Sequence, residues 1–210
     1  MHKKAVKFVV TVAAGAALGI GAATLGSNVL DAQAGQAAGA QGRGGGRGGI
    51  SIPPLIMETD AFADGGIVPQ KFAGRGGVQP GFKFSNAPQG TASYAIIFHD
   101  IDVAFGGNTG DVLHWMAWNI PASGNGIAEG KLPEGAVQGK NITGQNNYMG
   151  PAAPAGPRYH HYVFELYALN ATLNLPETAS RDDLLKAMEG KVVAKAGYVG
   201  RYRTGEAPAR

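Results

Sequence analysis

The sequence predicts a mainly β domain, a sandwich of antiparallel strands with one or two helices at its periphery. Three segments are rich in aromatic and β-branched residues, and turn residues flank each of them. Only one later segment combines helical spacing with residues that cap both ends of a helix. The chain has neither an internal repeat nor the regular alternation of strand and helix patterns that is typical of a parallel sheet.

The strongest strand predictions are Ser93–Asp100, Leu113–Ile120 and Tyr159–Leu169. An Asn-Ala-Pro-Gln-Gly turn precedes the first, Pro121 ends the second and Asn170 follows the third. Between the second and third strands lies a loop, residues 141–157, that is rich in Gly, Asn and Pro. Long ordered loops of this kind are usually functional.

One helix is predicted near the C-terminus. Ser180 is a good N-cap, and Asp183 follows three residues later, as in a capping box. Apolar residues then recur at helical spacing, and Gly190 is suited to end the helix. The next residues, Lys191–Arg203, predict a final strand.

Residues 1–34 predict a secretory signal peptide. Its positive charges come first, at Lys3, Lys4 and Lys7. An apolar stretch follows from Phe8 to Leu25, and Ala32-Gln33-Ala34 supplies the small residues of a cleavage site. We therefore expect an exported protein, periplasmic or extracellular, with no stable membrane span after cleavage. The alternative is an uncleaved anchor, since about 18 apolar residues suffice to cross a bilayer.

Residues 35–49 predict a flexible linker, because eight glycines leave little apolar surface to bury. A folded domain is expected at 50–205. Of the 18 Lys and Arg residues, five precede Ile50, whereas only one of the 15 acids, Asp31, does so; the formal charge from Ile50 onward is therefore −1. This balance excludes a large basic patch, so no nucleic-acid partner is predicted. The absence of cysteine excludes disulfides, thiolate zinc sites and a lipobox.

Ionisable residues lie at the ends of the predicted strands. His99, Asp100 and Asp102 close the first strand, and His114 lies at the start of the second. In the third strand, a period of two places His160 and Tyr162 side by side on one face, with the intervening histidine on the other. Buried ionisable groups are unfavourable unless they are paired. These residues are therefore expected either to satisfy one another or to line a pocket.

Three motifs in this order resemble the phosphatidylethanolamine-binding protein family. Asp100–Ala104 stands where the family has Asp-Pro-Asp-Ala-Pro, and His114–Pro121 matches a strand with a histidine before an apolar run. Gly150-Pro151 precedes His160-His161-Tyr162, as a Gly-Pro loop precedes His-Arg-Tyr in the family. The resemblance extends over Pro54–Arg203 and is strongest to the bacterial branch, the Raf kinase inhibitor-like proteins.

The resemblance implies an antiparallel β-sandwich of that family's type with a small anion pocket at its edge. The matching pocket residues are Asp100, His114, His160 and Tyr162, with Gly150 and Pro151 at the rim. The sequence departs from the family at Ile101 and Ala104, which replace prolines, and at His161, which replaces arginine. Imidazole N–H groups and a tyrosine hydroxyl are donors suited to phosphate oxygens, and a carboxylate beside them can orient an imidazole.

The function that these residues indicate is non-enzymatic binding of a phosphate-bearing or other small anionic ligand, such as a phospholipid head group, with no cofactor and no metal. One alternative is a metal-dependent hydrolase that uses Asp100, His114 and His160, although no metal-ligand spacing is present. Another is an inhibitor of an extracytoplasmic enzyme, with an unidentified protein partner. The sequence leaves the ligand, that partner and the oligomeric state open.

The remaining polar and aromatic residues receive structural interpretations. His99 and His161 are expected outside the pocket, because each has the opposite parity to a pocket residue. Trp115 and Trp118 are predicted to belong to the core, and Asp111 to be a solvated loop residue. Two formal glycosylation sequons begin at Asn141 and Asn170.

Overall fold

In a computed structural model, the structure describes residues 54–107 and 109–205. The predicted signal peptide (1–34), the linker (35–49) and the expected domain start at residue 50 lie outside these residues. In the described part of the chain, no helix is both long enough and apolar enough to cross a membrane.

The described residues form two sheets and one α-helix. The strands are β1 (Ile56–Glu58), β2 (Gly66–Ile67), β3 (Phe82–Ser85), β4 (Ser93–Asp100), β5 (Val112–Pro121), β6 (Gly126–Ile127), β7 (Val137–Gln138), β8 (His160–Leu169) and β9 (Val192–Tyr202), and the helix is α1 (Arg181–Met188). The small sheet has the order β1-β3-β6, and the large sheet has the order β2-β9-β8-β4-β5-β7. Two short 3₁₀ turns lie at Gln70–Phe72 and Phe105–Gly107.

The two sheets pack face to face, which confirms the predicted β-sandwich. Alternate residues of β4 and β8 point inward, and Ile96, Phe98 and Phe164 are at most 1% exposed there. Phe82 and Phe84 of β3 meet them from the small sheet. The stacked rings of Phe98 and Phe164, with centroids 3.9 Å apart, occupy this inner core. The aromatic richness of the strand segments therefore reflects burial between two sheets.

The other face of the large sheet is covered by α1. Ile97, Trp118 and Tyr167 on this outer face pack with Leu184 and Met188 of the helix. The predicted capping box is confirmed, because Ser180 and Asp183 exchange hydrogen bonds between their side chains and backbone N–H groups. The central strands β4 and β5 of the large sheet are therefore largely buried on both faces.

One pairing departs from the antiparallel expectation. The two-residue β2 runs parallel to β9, with Gly66 opposite Gly200. The segment before β2 is held beside β9, because the Asp64 carboxylate accepts a hydrogen bond from the N–H of Val199. This short strand covers the edge of β9, which would otherwise expose unpaired backbone groups.

Candidate functional site

The ends of three neighbouring strands bring the predicted pocket residues together. Strand β4 lies between β5 and β8, and its last residue, Asp100, is directly opposite Tyr162 of β8. His160 lies two residues before Tyr162 on the same strand and face. The ring centroid of His114 in β5 lies 5.1 Å from that of Tyr162. We call Asp100, His114, His160 and Tyr162 the inner cluster.

A β-bulge turns His114 toward the inner cluster. Phe98 pairs with Trp115, whereas the next residue, His99, pairs with Leu113, so His114 is the extra residue. Trp115 points into the inner core, and strict alternation would send its neighbour His114 to the outer face. Bulges commonly redirect a side chain in this way. The sequence prediction found the residue but not the bulge.

The Asp100 carboxylate holds both the turn after β4 and the first residue of β8. Its Oδ2 atom lies 2.8 Å from Nδ1 of His160, and its Oδ1 atom accepts a hydrogen bond of 2.9 Å from the N–H of Asp102. Asp100 is only 3% exposed. Because a carboxylate oxygen accepts, Nδ1 of His160 carries the hydrogen of that contact. The other ring nitrogen of His160 is left for a further contact.

His114 is fixed by the loop that leads toward β8. Its Nδ1 atom lies 3.1 Å from the carbonyl oxygens of both Met149 and Gly150. Since carbonyls only accept, Nδ1 carries a hydrogen, and Nε2 of the neutral ring has a lone pair. Burial lowers the pKa of His114, against the opposing effects of these carbonyls and of Asp100. The neutral ring is thereby favoured.

Tyr162 contributes a hydroxyl that remains protonated. It is fully buried, and its oxygen accepts a 3.2 Å hydrogen bond from the N–H of Ala152. Burial raises the pKa of Tyr162 far above its usual value, and the neighbouring Asp100 carboxylate adds to that effect. Its O–H can therefore serve as a donor at any physiological pH.

The rim residues act through their backbone. The N–H of Gly150 donates to the carbonyl of Gly74, and the N–H of Gly74 donates to the carbonyl of Pro151. A Cβ atom on Gly150 would meet the carbonyl oxygen of Phe72 and lie 2.8 Å from Cα of Ala73. Only glycine allows this close approach. Gly74 could not be predicted as part of the rim, since no motif near it marks a site.

Two of the three departures from the family pattern, Ile101 and His161, are hydrogen-bonded to each other. The carboxylate of Asp102 accepts hydrogen bonds from the backbone N–H and from Nδ1 of His161, at 2.6 and 2.8 Å, and from Arg158 at 3.1 Å. These contacts lower the pKa of Asp102, whereas its partial burial acts in the opposite direction. The N–H of Ile101, which a proline would lack, donates to the carbonyl of His161. His161 therefore stabilises the turn from outside the inner cluster.

The inner cluster is nearly closed. Only the side chain of His160 has appreciable exposure, 16%, whereas Tyr162 has none. Four surface cavities of the described residues lie elsewhere, and none of these four is lined by a residue of the inner cluster. A molecule that binds here must therefore be small, or must insert one small group past His160.

A second polar cluster lies on the outer face, where His99 points. Nδ1 of His99 contacts the carboxylate of Asp111, which also pairs with Arg181 of α1. Nε2 of His99 lies 3.6 Å from a carboxylate oxygen of Glu165. We call His99, Asp111, Glu165 and Arg181 the outer cluster. The prediction that Asp111 is a solvated loop residue is wrong, because α1 brings a cation to it from far along the chain.

Burial decides the interpretation of the two tryptophans and of the first glycosylation sequon. Trp115 and Trp118 are fully buried, as predicted. The first sequon residue, Asn141, is 5% exposed, and its amide holds the loop through Thr143 and Asn147. It is therefore a structural residue.

The described residues give no support to the metal-hydrolase alternative. In residues 54–107 and 109–205, no group of three His, Asp or Glu side chains could hold a metal ion.

Comparisons with known proteins agree with this fold. The family model described as phosphatidylethanolamine-binding protein matches residues 58–203. A UPF0098 protein from Methanothermobacter thermautotrophicus is 38% identical over 157 residues, which are 72% of this chain and all of that protein. A protein from Mycobacterium tuberculosis named as a candidate lipoprotein is 34% identical, over 71% of this chain and 72% of its own length.

A solved structure shows the same architecture. The crystal structure of a protein from Chlamydia trachomatis, described as a phosphatidylethanolamine-binding protein homologue, superposes with a TM-score of 0.64 at 31% identity. The match covers 71% of this chain and 97% of that one. The chain therefore belongs to the bacterial branch of the phosphatidylethanolamine-binding protein family.

Proposed function

We propose that this protein is an exported, non-enzymatic binding protein whose inner cluster takes a small phosphate-bearing anion, such as a phospholipid head group. The observation that carries the proposal is the convergence of Asp100, His114, His160 and Tyr162 from three strands. Two imidazoles and one phenol meet there around a single carboxylate. Residues placed in this way are available to contact a ligand.

The cluster has the hydrogen-bonding groups that an oxyanion needs. Nδ1 of His160 bonds to Asp100, so a protonated His160 donates from Nε2 to a ligand oxygen. Hydrogen bonds from a charged donor are about twice as strong as neutral ones. The Tyr162 hydroxyl is a neutral donor beside the Asp100 carboxylate, and its oxygen accepts a hydrogen bond from Ala152. Asp100 orients the imidazole and balances its charge.

Export is supported by the N-terminal sequence and by a relative. The relative from Mycobacterium tuberculosis carries a lipoprotein name. This chain has no cysteine, so a lipid cannot be attached to it in the usual way. Export with cleavage after Ala34 is therefore the mode we propose.

Calorimetric titration with phosphate tests the proposed function. We expect His160→Ala to weaken phosphate binding by a factor of 10 or more, because a charge-assisted hydrogen bond contributes about 1.5–3 kcal/mol. Tyr162→Phe should weaken it about fivefold, for a neutral bond of about 1 kcal/mol. The matched control is His161→Ala, since that side chain points away from the inner cluster and should leave the affinity within twofold. Wild-type protein that fails to bind phosphate would contradict the proposal.

A further inference from the structure

Two surface cavities away from the inner cluster share the side chains of Arg75 and Asn147. The larger, of about 420 Å³, is lined by residues of the turn 74–77 and by Gln138 of β7. The smaller, of about 220 Å³, is lined mainly by residues of the loop 141–149. No residue of the inner cluster lines either cavity. We call the two cavities together the Arg75 groove.

A tight turn presents Arg75 to this groove. The N–H of Gly77 donates to the carbonyl of Gly74, 3.2 Å away. A Cβ atom on Gly77 would lie 2.6 Å from the carbonyl oxygen of Phe72, so the turn needs glycine there. Arg75 is exposed, and among the described residues neither an ion pair nor a hydrogen bond engages its guanidinium group. Its five N–H donors are therefore available.

Two side-chain amides of the groove are oriented so that each keeps a donor available. Oε1 of Gln138 accepts a 2.7 Å hydrogen bond from the indole N–H of Trp115, so the NH₂ group of Gln138 is left for another partner. The amide oxygen of Asn141 accepts from the N–H of Thr143, so its NH₂ group is the donor to Oδ1 of Asn147. The NH₂ group of Asn147 is left over in the same way.

The charge of the lining indicates the charge of a matching ligand. Among the described residues that line the two cavities, Arg75 is the single cation, and none is a carboxylate. A monoanion therefore balances the site, whereas a dianion would leave one negative charge uncompensated. A carboxylate has about four lone-pair sites and can accept two hydrogen bonds from one guanidinium group. Two donors from Arg75 and one from each amide would occupy all four sites.

An apolar wall lies in the same groove. Val78 and Leu132 line the larger cavity and are half-buried against the inner core. The buried Tyr148 lines it with them. Removal of apolar surface from water is favourable in proportion to its area. A carboxylate that carries a short aliphatic chain would therefore make favourable contacts with both the polar and the apolar part of the groove.

We propose that the Arg75 groove binds a small aliphatic monocarboxylate. The carboxylate accepts hydrogen bonds from Arg75 and from the NH₂ groups of Gln138 and Asn147. The aliphatic chain lies against Val78 and Leu132. This site is separate from the inner cluster, and it does not depend on the function proposed for that cluster.

Titration with isovalerate tests this inference, and the neutral isovaleramide is the matched control ligand. In spectra of ¹⁵N-labelled protein, isovalerate should shift the side-chain NH₂ signals of Gln138 and Asn147. Isovaleramide at the same concentration should leave these signals in place, because it lacks the negative charge that pairs with Arg75. Wild-type protein in which isovalerate shifts neither NH₂ signal would overturn the inference.

Two variants that each remove one positive charge test the role of Arg75. Arg75→Gln should keep the fold, because that side chain has no partner among the described residues, and should weaken isovalerate binding at least fivefold. Lys140→Gln removes the same charge from an exposed residue that lines neither cavity, and should leave the affinity within twofold. A loss smaller than fivefold in Arg75→Gln, or an equal loss in both variants, would contradict the proposed site.

An isosteric variant tests the amide. Asn147→Asp keeps an oxygen that accepts from Asn141 but exchanges the NH₂ group for a second carboxylate oxygen. This oxygen repels the carboxylate of the ligand and competes for Arg75, so isovalerate binding should again weaken at least fivefold. Asn147→Asp that binds isovalerate as tightly as wild type would show that the ligand lies elsewhere.

Discussion

The inner and outer clusters both take residues from β4 and β8, and each contains a histidine and an aspartate, yet they differ in the charged groups that surround them. His99 and Asp100 are neighbours in β4 and point to opposite faces. Each face pairs a histidine with an aspartate. On the outer face Arg181 and Glu165 add charged groups from α1 and β8, although Nε2 of His99 and Nε of Arg181 are buried without a hydrogen bond. On the inner face no further protein cation or carboxylate from the described residues is added.

A histidine–aspartate pair therefore occurs on both faces of the large sheet, and our proposal assigns ligand binding to only one of them. The outer cluster joins α1 to the large sheet, and the side chains of Asp111 and Arg181 are 21% and 26% exposed. The inner cluster instead holds His114 by backbone carbonyls, and no hydrogen bond from the described residues reaches its Nε2. The proposed function assigns ligand binding to this cluster.

Removal of Asp111 should give the largest effect on stability. In Asp111→Ala, Arg181 and His99 lose their shared carboxylate, and we expect the free energy of unfolding at pH 7 to fall by about 2 kcal/mol. Phosphate affinity should stay within twofold. Asp100→Ala should instead abolish phosphate binding. Urea denaturation and calorimetry on both variants measure these effects, and a tenfold loss of phosphate affinity in Asp111→Ala would remove the distinction between the clusters.

The stabilisation of the folded state by Asp111 should depend on pH, and the shift of its pKa gives the direction of that dependence. His99 and Arg181 lower its pKa below the ordinary value of 3.8, although partial burial opposes them. The unfolded chain therefore takes up the proton first as the pH falls, and the stabilisation from Asp111 is present above about pH 4 and lost below it. The stability difference between wild type and Asp111→Ala should accordingly shrink below about pH 4.

Gly150→Ala should give a loss of stability of comparable size, together with an effect on binding that is specific to the inner cluster. The added methyl group meets Phe72 and Ala73, and overpacking of this kind costs about 1–3 kcal/mol. Because the carbonyl of Gly150 holds His114, phosphate affinity should fall at least fivefold. Gly156→Ala, in the same loop, is the control, since its Cβ would meet nothing within 4 Å. Equal behaviour of the two variants would mean that the loop does not position His114.

The long elements could be predicted from the sequence because their signals are local. Strand β4 has the predicted bounds, and β5 differs from its prediction by one residue at each end. The helix follows its predicted N-cap. Strands of two to four residues, such as β2 and β3, were missed, because they are too short to show a period.

The candidate site was predictable in its residues but not in its geometry. The resemblance identified His114, but the bulge that turns it inward depends on the pairing of β5 with β4. Gly150 was assigned to the rim, whereas its contact is with Phe72, 78 positions earlier in the chain. Asp111 was misassigned because its partner Arg181 comes from α1. Each of these features depends on tertiary contacts that no local pattern contains.

The most direct test of the account follows the histidine rings by NMR during a phosphate titration. In protein with ¹⁵N-labelled imidazoles, phosphate should shift the ring signals of His114 and His160 and leave those of His99 and His161 unchanged. Before phosphate is added, His114 should show the tautomer with its hydrogen on Nδ1. Shifts confined to His99 or His161, or no shift at any of the four, would contradict the assignment of the inner cluster as the binding site.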